Sequence, residues 1–453
     1  MAVGDSPEEG LTMDTKLKMG MNQPAESGAG PTGTNLSATV TVAVIGAGLR
    51  GMIYSSFALD RQYNMRIVAV ADPRTERRER FREKFSIPDE RCFGSWDELF
   101  AGPKLADAVF ICTRDKDHFE PAMKAMEAGY HVLMEKPMSP DWEECVALGR
   151  QAEQYNRILT ICHVLRYAPF FQEIKRLVDE GRIGRLMSIQ HNENVAYWHQ
   201  AHSYVRGYFS KSGEASPMIL AKSCHDLDMM AWLAGGDCLS VASYGHLTYF
   251  RPEFAPPGAP KYCLDGCPVS QECKYYAPNI YLIENGGWKA EAACSDPSYE
   301  ARYKAIKEGP FGRCVYHCDN DVVDHQVVSM EFEHEITAVF TMSAFTEKCN
   351  RTLKLMGTEG EIRATMETNE IQIRRFGSGQ EENIRLTDAG GHVGHGGGDS
   401  RLVADFVKTV RTQGAHTSAT SARASIQSHL MAFAAERSRL EKRMVHLDEF
   451  RQG

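Results

Sequence analysis

The chain lacks three features that would each assign it to a different class of protein. No stretch approaches the roughly 18 apolar residues that a membrane-spanning helix needs. The apolar segment of a secretory signal is missing, which predicts a cytoplasmic protein. An excess of positive charge is also missing, because the net charge is −9. We therefore expect no nucleic-acid partner. What remains is a protein whose partner is a small molecule.

Apolar periodicity is absent from residues 1–37, which are rich in Gly, Pro, Ser and charged side chains. Such a segment buries too little apolar surface to offset the entropy of ordering the chain, so we predict that it is disordered. The whole chain of 453 residues is 43% apolar and 25% charged, as in ordinary globular proteins. Its length predicts two domains, which we place at 38–165 and 166–453.

A buried strand followed by a glycine-rich turn is the first motif of the ordered chain. The run Val40 to Ile45 is apolar on both faces, as in a parallel sheet. It leads into Gly46-Ala47-Gly48-Leu49-Arg50-Gly51 and then into a segment compatible with a helix. The glycines allow a tight turn, and the helix offers N–H groups and a positive dipole to a pyrophosphate. We predict a dinucleotide site, against the alternative of a turn without ligand.

The second strand of this unit ends in an acid. Asp72 follows the apolar run Arg66 to Ala71, about 20 residues beyond the last glycine of the turn. A carboxylate at this place accepts hydrogen bonds from the adenosine ribose, which favours NAD over NADP. Arg74 lies close enough in sequence to leave NADP open as the cofactor.

Strands and short helices continue to alternate, which predicts a doubly wound parallel sheet. One strand ends at Thr113, with His118 shortly after it, and the next stops abruptly at Glu135-Lys136-Pro137. Ligands of such sheets bind beyond the carboxyl ends of the strands, so Lys136 is the first candidate for catalysis. His118 either caps its helix or contacts the cofactor.

Together these motifs resemble those of the glucose-fructose oxidoreductase / inositol dehydrogenase (Gfo/Idh/MocA) family. The resemblance extends through Arg166-Tyr167 and Gly181-Arg182-Ile183-Gly184. It implies an α/β protein with an N-terminal Rossmann domain and a C-terminal α/β domain, whose open, mainly antiparallel sheet often forms the interface of a homo-oligomer. It also implies that Thr113, Glu135 and Lys136 contact the cofactor and that Arg166 contacts the substrate.

The resemblance further implies a catalytic histidine in the second domain, and His225 matches it. Many members carry an aspartate four residues before this histidine, whereas Ala221 stands there in this chain. Either Lys136 and His225 share the proton transfer alone, or the adjacent Lys222 takes part. The alternative is that His225 only caps its helix.

A short stretch after the first domain combines aromatic rings with hydrogen-bond donors, as a sugar site requires. We predict substrate contacts from Tyr197, His199, His202 and Arg206. Ordinary loop packing is the alternative, and a metal site lacks a third ligand near the two histidines. His395, in a glycine-rich loop near the carboxyl end, is a further candidate unless that loop is only a linker.

A cysteine-rich insertion at about 250–320 is the last unusual feature. Without a secretory signal, cysteines are more often thiols or metal ligands than a disulfide framework. Cys263, Cys267 and Cys273, with Cys314 or Cys318 as the fourth ligand, would close a tetrahedral structural zinc site. A disulfide and free thiols remain the alternatives.

The resemblance and the motifs lead to three hypotheses for function. The first is an NAD(P)-dependent dehydrogenase that exchanges a hydride with a hydroxyl carbon of a sugar, glycoside or cyclitol. The second is a glycosidase that uses tightly bound NAD in a redox-neutral cycle. The third is a non-catalytic NAD-binding regulator, which the presence of Lys136 and His225 disfavours.

Overall fold

A computed structural model describes residues 38–284, 286–387 and 395–450. The predicted disordered segment, residues 1–37, lies outside these ranges. In the described part of the chain, no helix is both long and apolar enough to span a membrane.

Six parallel strands make up the first sheet as far as the structure describes it. They are β1 Val40–Ile45, β2 Met65–Ala71, β3 Cys92–Phe93, β4 Ala108–Ile111, β5 His131–Met134 and β6 Leu159–Ile161. Their order is β3-β2-β1-β4-β5-β6. The winding reverses between β1 and β4, where sheets of this kind open a ligand crevice at the carboxyl ends of the strands. The predicted doubly wound sheet is confirmed.

Helices cover both faces of this sheet, which is why its strands are apolar throughout. These helices are α1 Leu49–Ser56, α2 Thr75–Phe85, α3 Trp96–Ala101, α4 Phe119–Glu127 and α5 Trp142–Gln154. Two of them begin at capping side chains: Ser95 accepts a hydrogen bond from the Glu98 N–H, and Asp141 accepts one from the Glu143 N–H.

The second sheet has nine strands within the described residues, in the order β14-β13-β12-β11-β7-β10-β9-β8-β15. They are β7 Leu186–Asn194, β8 Cys238–His246, β9 His325–Phe332, β10 Ile336–Ser343, β11 Asn350–Gly357, β12 Gly360–Thr365, β13 Glu370–Arg375, β14 Glu381–Arg385 and β15 Val445–His446. The pair β7 and β10 is parallel and the other pairs are antiparallel. The predicted open, mainly antiparallel sheet is confirmed, whereas the homo-oligomer stays a prediction.

The remaining helices pack on one face of the second sheet, fill the insertion, or return to the first sheet. They are α6 Pro169–Asp179, α7 Tyr197–His199, α8 Met218–Ala221, α9 Cys224–Ala234, α10 Ala277–Tyr281, α11 Gly287–Ala293, α12 Tyr299–Glu308, α13 Gly398–Arg411 and α14 Ala422–Glu441. Leu402 and Phe406 of α13 share a core with Val42 and Phe110 of the first sheet. The limit predicted at 165–166 therefore separates the two sheets but not these C-terminal helices.

Helix α14 ties the two halves of the molecule together. It packs against β8 and α9 of the second half and against α5 of the first. Its side chains Leu430 and Met431 are buried in the core of the second sheet, while Ala422 lies in the core of the first. This shared packing holds the carboxyl ends of β4, β5 and β6 beside α8 and α9.

Candidate active site

The glycine-rich turn connects β1 to α1. Gly46 has a φ of +92°, and a Cβ added there would lie 2.5 Å from the Cys112 carbonyl oxygen. A Cβ at Gly51 would lie 2.2 Å from the Gly46 carbonyl oxygen. Both positions therefore require glycine, whose backbone can approach a ligand closely. Helix α1 starts at Leu49 without an acidic residue in its first turn, so its first N–H groups suit a phosphate.

A cavity of about 840 Å³ lies beside this turn. Its volume is in the range of cofactor sites. Of the residues predicted to bind the cofactor, Gly46, Gly48, Leu49, Arg50, Asp72 and Thr113 line it. Tyr208, from the second half of the chain, lines it as well. These residues fit a nicotinamide dinucleotide, because the glycine-rich turn presents backbone to the cavity and Asp72 and Arg74 add polar side chains.

Asp72 joins the end of β2 to the turn. Its carboxylate is buried and accepts hydrogen bonds from the Ala47 N–H at 2.8 Å and from the Arg74 N–H at 2.9 Å. Arg77 lies 3.8 Å from the same carboxylate, and burial followed by the charge of Arg74 lowers the pKa of Arg77. An acid and two arginines therefore lie together at the wall of the cavity.

Glu135 is held by partners inside the protein. It accepts a hydrogen bond from Arg50 at 2.7 Å and one from the Tyr54 hydroxyl at 2.8 Å. Burial would raise the pKa of Glu135, but the charges of Arg50 and Lys136 outweigh it and the pKa is lowered. Arg50 also bonds Asp399 at 2.6 Å, which links α1 to α13. Tyr54 and Asp399 were not singled out from the sequence.

His118 connects two strand ends. Its Nδ1 lies 2.7 Å from the Pro137 carbonyl oxygen and its Nε2 lies 3.3 Å from that of Thr113. The side chain is buried and makes no capping bond to α4. These contacts favour a structural role for His118, although not as a helix cap.

Lys136 crosses from the first half of the molecule to the second. Its Nζ donates a hydrogen bond to the Ala221 carbonyl oxygen at 2.7 Å, at the end of α8. The family resemblance predicts an aspartate at position 221. Since Ala221 has no carboxylate, its backbone carbonyl group accepts the hydrogen bond of Lys136 instead. The ammonium group is thereby fixed at the carboxyl end of β5, near the start of α9.

His225, in the first turn of α9, lies close to Lys136. Burial and the charge of Lys136 hold the pKa of His225 well below its usual value. The imidazole is therefore neutral near pH 7 and can accept a proton. Its ring centroid lies 5.8 Å from that of His163 and 5.8 Å from that of His395.

A network of buried ion pairs lies beside His225, at the next residue, Asp226. Lys222 lies 3.2 Å from Glu193, and Arg351 bridges Glu193 and Asp226, each at 2.7 Å. His191 completes the group with a 2.7 Å contact to Asp226. Burial would raise the pKa of Asp226, but Arg351 and His191 outweigh it and lower that pKa. Lys222 is thus held by a carboxylate, which favours a binding role over that of a base.

Two of the predicted substrate residues lie at this cluster. Burial and the charge of Lys222 lower the pKa of His199, whose Nδ1 lies 3.4 Å from the Cys349 sulfur. His395 lies beside His225, with its Nδ1 3.3 Å from Asp399. The glycine-rich stretch before it, residues 388–394, lies outside the described residues.

The other predicted substrate residues are committed to packing. Arg166 makes a paired bond to the buried Asp228, with both distances 2.7 Å. Arg206 is 1% exposed and donates to the carbonyl oxygens of Arg313 and Tyr275. Asp228 and the two carbonyl oxygens occupy most of these donors, and Nη1 of Arg206, which has no partner in the described part of the chain, is buried; both facts argue against substrate contact by either arginine.

The remaining two lie among the aromatic rings of the insertion. Nδ1 of His202 lies 3.0 Å from the Tyr281 hydroxyl, and its ring stacks on that of Phe311. Tyr197 contacts Tyr275 edge to face. Their neighbours indicate that both side chains mainly anchor the insertion.

The structure does not support the zinc prediction. Cys263, Cys267, Cys273 and Cys314 do line one small cavity, but no group of described residues could hold a metal ion. Nη2 of Arg206 lies 3.5 Å from the Cys263 sulfur, so this thiol already has a partner inside the protein. Burial raises the pKa of the Cys273 and Cys314 thiols. All thirteen cysteines are free, as in one of the alternatives.

Sequence comparisons agree with this architecture. Residues 40–163 match the family described as "Oxidoreductase family, NAD-binding Rossmann fold", and residues 171–363 match the "GFO/IDH/MocA C-terminal domain". The oxidoreductase YteT of Bacillus subtilis is 24% identical over 353 residues, which are 73% of this chain and 78% of YteT. The scyllo-inositol 2-dehydrogenase (NADP(+)) IolW of the same organism is 28% identical over 197 residues, 44% of this chain and 52% of IolW. The chain thus spans about half the length of that dehydrogenase.

Solved structures share the fold. A levoglucosan dehydrogenase in complex with NADH and levoglucosan has a TM-score of 0.68 at 18% identity, covering 90% of this chain and 99% of its own. An oxidoreductase from Agrobacterium radiobacter, in complex with NAD+, L-tartaric acid and magnesium, has a TM-score of 0.66 at 15% identity, with 91% and 99% covered. At these identities the likeness shows the fold.

Proposed function

We propose, from the premise that this chain belongs to the Gfo/Idh/MocA family of NAD-binding oxidoreductases, that it oxidises a ring hydroxyl of a sugar or cyclitol. The observation that carries this proposal is the meeting of Lys136 and His225 beyond the carboxyl end of β5, at the same edge of the sheet as the cavity that suits a dinucleotide. The inositol and levoglucosan dehydrogenases named above support the choice of substrate class.

A nicotinamide dinucleotide in the cavity would supply the acceptor for the hydride. The protein must then remove the hydroxyl proton, because hydride loss from a neutral alcohol would form a protonated ketone, which is a strong acid of high energy. A positioned base contributes about 100-fold to 10,000-fold to such a step. His225 is the base in this proposal, since its lowered pKa keeps the imidazole unprotonated at neutral pH. Lys136 lies beside it and stabilises the developing alkoxide by hydrogen bonding and charge.

The network around Arg351 would orient the substrate. A sugar or cyclitol presents several hydroxyls, which bind best to donors and acceptors that cannot turn away. Lys222 and Arg351 are fixed by Glu193 and Asp226, and His199 adds a neutral imidazole. We propose substrate contacts from Lys222, His199 and His395, and NAD as the preferred cofactor because of Asp72. Arg74 and Arg77 keep NADP within reach.

The test is a panel of cyclitols, free sugars and glycosides, incubated with the purified protein and NAD+ or NADP+. Reduced cofactor, followed by absorbance at 340 nm, is the expected result for at least one compound. Release of an aglycone without reduced cofactor would instead identify the redox-neutral glycosidase. Binding without either reaction would contradict catalysis.

A further inference from the structure

Four histidine rings form a row that leads from α14 to the candidate active site. Ring centroids are 5.4 Å apart between His429 and His163, 5.8 Å between His163 and His225, and 5.8 Å between His225 and His395. His163 follows β6 and is fully buried. Nothing in the sequence patterns drew attention to it, because a lone histidine after a strand is ordinarily a packing residue.

The middle of this row contains buried nitrogen atoms without partners. Both ring nitrogens of His163 and Nδ1 of His225 are buried and make no hydrogen bond to any described residue. Buried polar atoms are nearly always paired in folded proteins, since the hydrogen bonds lost with water must be replaced. Three such atoms on two neighbouring rings indicate that the rings partner each other in the working enzyme.

His429 cannot be the partner of His163. Its Nε2 accepts a hydrogen bond from the Met138 N–H at 2.9 Å, so the proton must be on Nδ1. Nδ1 in turn lies 2.8 Å from the Ser425 carbonyl oxygen, to which it donates. Both nitrogens of His429 are therefore occupied, and His225 is the neighbour that still has a nitrogen to pair.

The nearby carboxylates are equally committed. Asp226 is bonded by His191 and Arg351, and Asp399 is bonded by Arg50 and His395. The position where the family resemblance expects an acid holds Ala221. A histidine base needs a third group that fixes its tautomer and orientation, and His163, whose two ring nitrogens are both buried without a partner among the described residues, can do so.

We propose that His163 is a positioning residue, whose unprotonated ring nitrogen accepts a hydrogen bond from Nδ1–H of His225 and so presents Nε2 of His225 to the substrate hydroxyl. This inference rests on the proposed function. Forming this bond requires a rotation of one ring about its Cβ–Cγ bond and an approach of the two rings by a few tenths of an ångström, because their centroids are 5.8 Å apart. Burial and the charges of Arg166 and Lys136 keep His163 neutral, as an acceptor must be.

The proton balance of the step follows directly. The carbinol carbon loses a hydride to the nicotinamide, the hydroxyl proton moves to Nε2 of His225, and the ketone forms. Nδ1 keeps its proton throughout and stays bonded to His163. The positive charge formed on His225 is then shared through that bond, which lowers the barrier without a second proton transfer.

The first test needs no substrate. In protein labelled with 15N-histidine, long-range proton–nitrogen spectra report which nitrogen of each ring carries the proton, and the signals of His225 are identified by their loss in His225→Gln. We expect Nδ1–H in the wild-type protein, a mixture containing at least about half Nε2–H in His163→Phe, and Nδ1–H again in His163→Gln, whose amide oxygen can accept. His131→Phe, which removes a half-buried histidine from β5, is the control and should change nothing.

An Nε2–H signal for His225 in the wild-type protein would overturn the proposal. So would a wild-type pattern in folded His163→Phe, or a tautomer change in His395→Phe alone, which would make His395 the positioning residue. If His163→Phe does not fold, the tautomer of His225 in the wild-type protein and in His163→Gln still tests the proposal.

The second test is kinetic and uses a compound that the wild-type protein oxidises. His163→Phe should lower kcat about 10-fold to 100-fold, as loss of an orienting partner does, while KM and the Kd for NADH stay within about 2-fold. His163→Gln should recover most of the rate. An unchanged kcat in folded His163→Phe would contradict the inference. If no compound is oxidised, the proposed function fails, whereas the tautomer measurement still judges the role of His163.

Discussion

The cofactor cavity and the substrate end of the crevice are built in different ways. Near the turn, the cavity is shaped by backbone: Gly46 and Gly51 leave no room for a side chain, and Asp72 binds two backbone N–H groups. The substrate end is shaped by charged side chains from distant parts of the chain, such as Arg351 and Asp226, 125 residues apart. A site made from local backbone can be predicted from a short motif, whereas one made from distant side chains cannot.

The two constructions also differ in how they can fail. A buried carboxylate that loses its cation leaves an unpaired charge, which costs about 3–5 kcal/mol of stability. A side chain added to the glycine-rich turn should mainly weaken the binding of the cofactor.

Lys136→Ala should have the largest effect. We expect kcat for sugar oxidation to fall about 100-fold to 10,000-fold because the alkoxide loses its partner, while NADH still binds. Lys104→Ala, at the opposite end of the sheet beside Tyr130, is the matched control and should keep full activity. Wild-type turnover by folded Lys136→Ala would remove this lysine from the mechanism.

Asp226→Ala should cost the folded protein the most stability. The variant leaves the buried Arg351 and His191 without their shared carboxylate, so the free energy of unfolding should fall by about 3–5 kcal/mol. Urea denaturation measures this change. Glu127→Ala breaks the exposed pair with Lys124 and should change stability by less than about 1 kcal/mol. Equal losses in the two variants would contradict the contrast between buried and exposed ion pairs.

Gly51→Ala should affect the cofactor cavity instead. Its Cβ would meet the Gly46 carbonyl oxygen, so the turn must shift and the Kd for NADH should rise about 100-fold, or about 2.7 kcal/mol. Fluorescence titration with NADH gives the Kd. Gly102→Ala adds a Cβ that meets nothing within 4 Å and is the matched control. If both variants bind NADH as the wild type does, the cavity is not the cofactor site.

The smallest effect concerns pH. Burial would raise the pKa of Asp399, but the hydrogen bond with His395 and the charge of Arg50 outweigh it and lower that pKa to about 2. A depressed carboxyl pKa stabilises the folded state above the unfolded pKa of about 4, and that stability, about 2 kcal/mol, is lost as the pH falls from 4 to 2. The stability gap between wild type and Asp399→Asn should therefore narrow over this interval. A constant gap would show that the Asp399 charge does not stabilise the fold.

The first sheet and its turn could be predicted from the sequence because each feature has a local cause. Glycines without room for a Cβ, an acid at the end of β2 and apolar strands on both faces all lie within short stretches. The second sheet was expected from the family resemblance, and its strand β9 alternates buried and exposed residues. The parallel pairing of β7 with β10 could not be foreseen, because pairing depends on the whole chain.

The errors at the site share a physical cause. The spacing of the cysteines correctly predicted that four of them lie together, and Arg206 was predicted to contact the substrate. The sequence does not show that Arg206 lies beside these cysteines. Its guanidinium contacts the Cys263 sulfur and donates to the Tyr275 carbonyl oxygen, and these contacts favour packing over substrate binding. Glu193, Arg351 and His163 were missed because single charged or polar residues in a strand or after one carry no local pattern.

The central claim is that this chain moves a hydride from a carbinol carbon to nicotinamide. A panel compound that is oxidised can be prepared with deuterium on that carbon and incubated with NAD+, and the reduced cofactor analysed by mass spectrometry. We predict one deuterium in each NADH, formed in step with the ketone product. Complete conversion of the compound while NAD+ stays unreduced, or NADH without deuterium, would contradict the account.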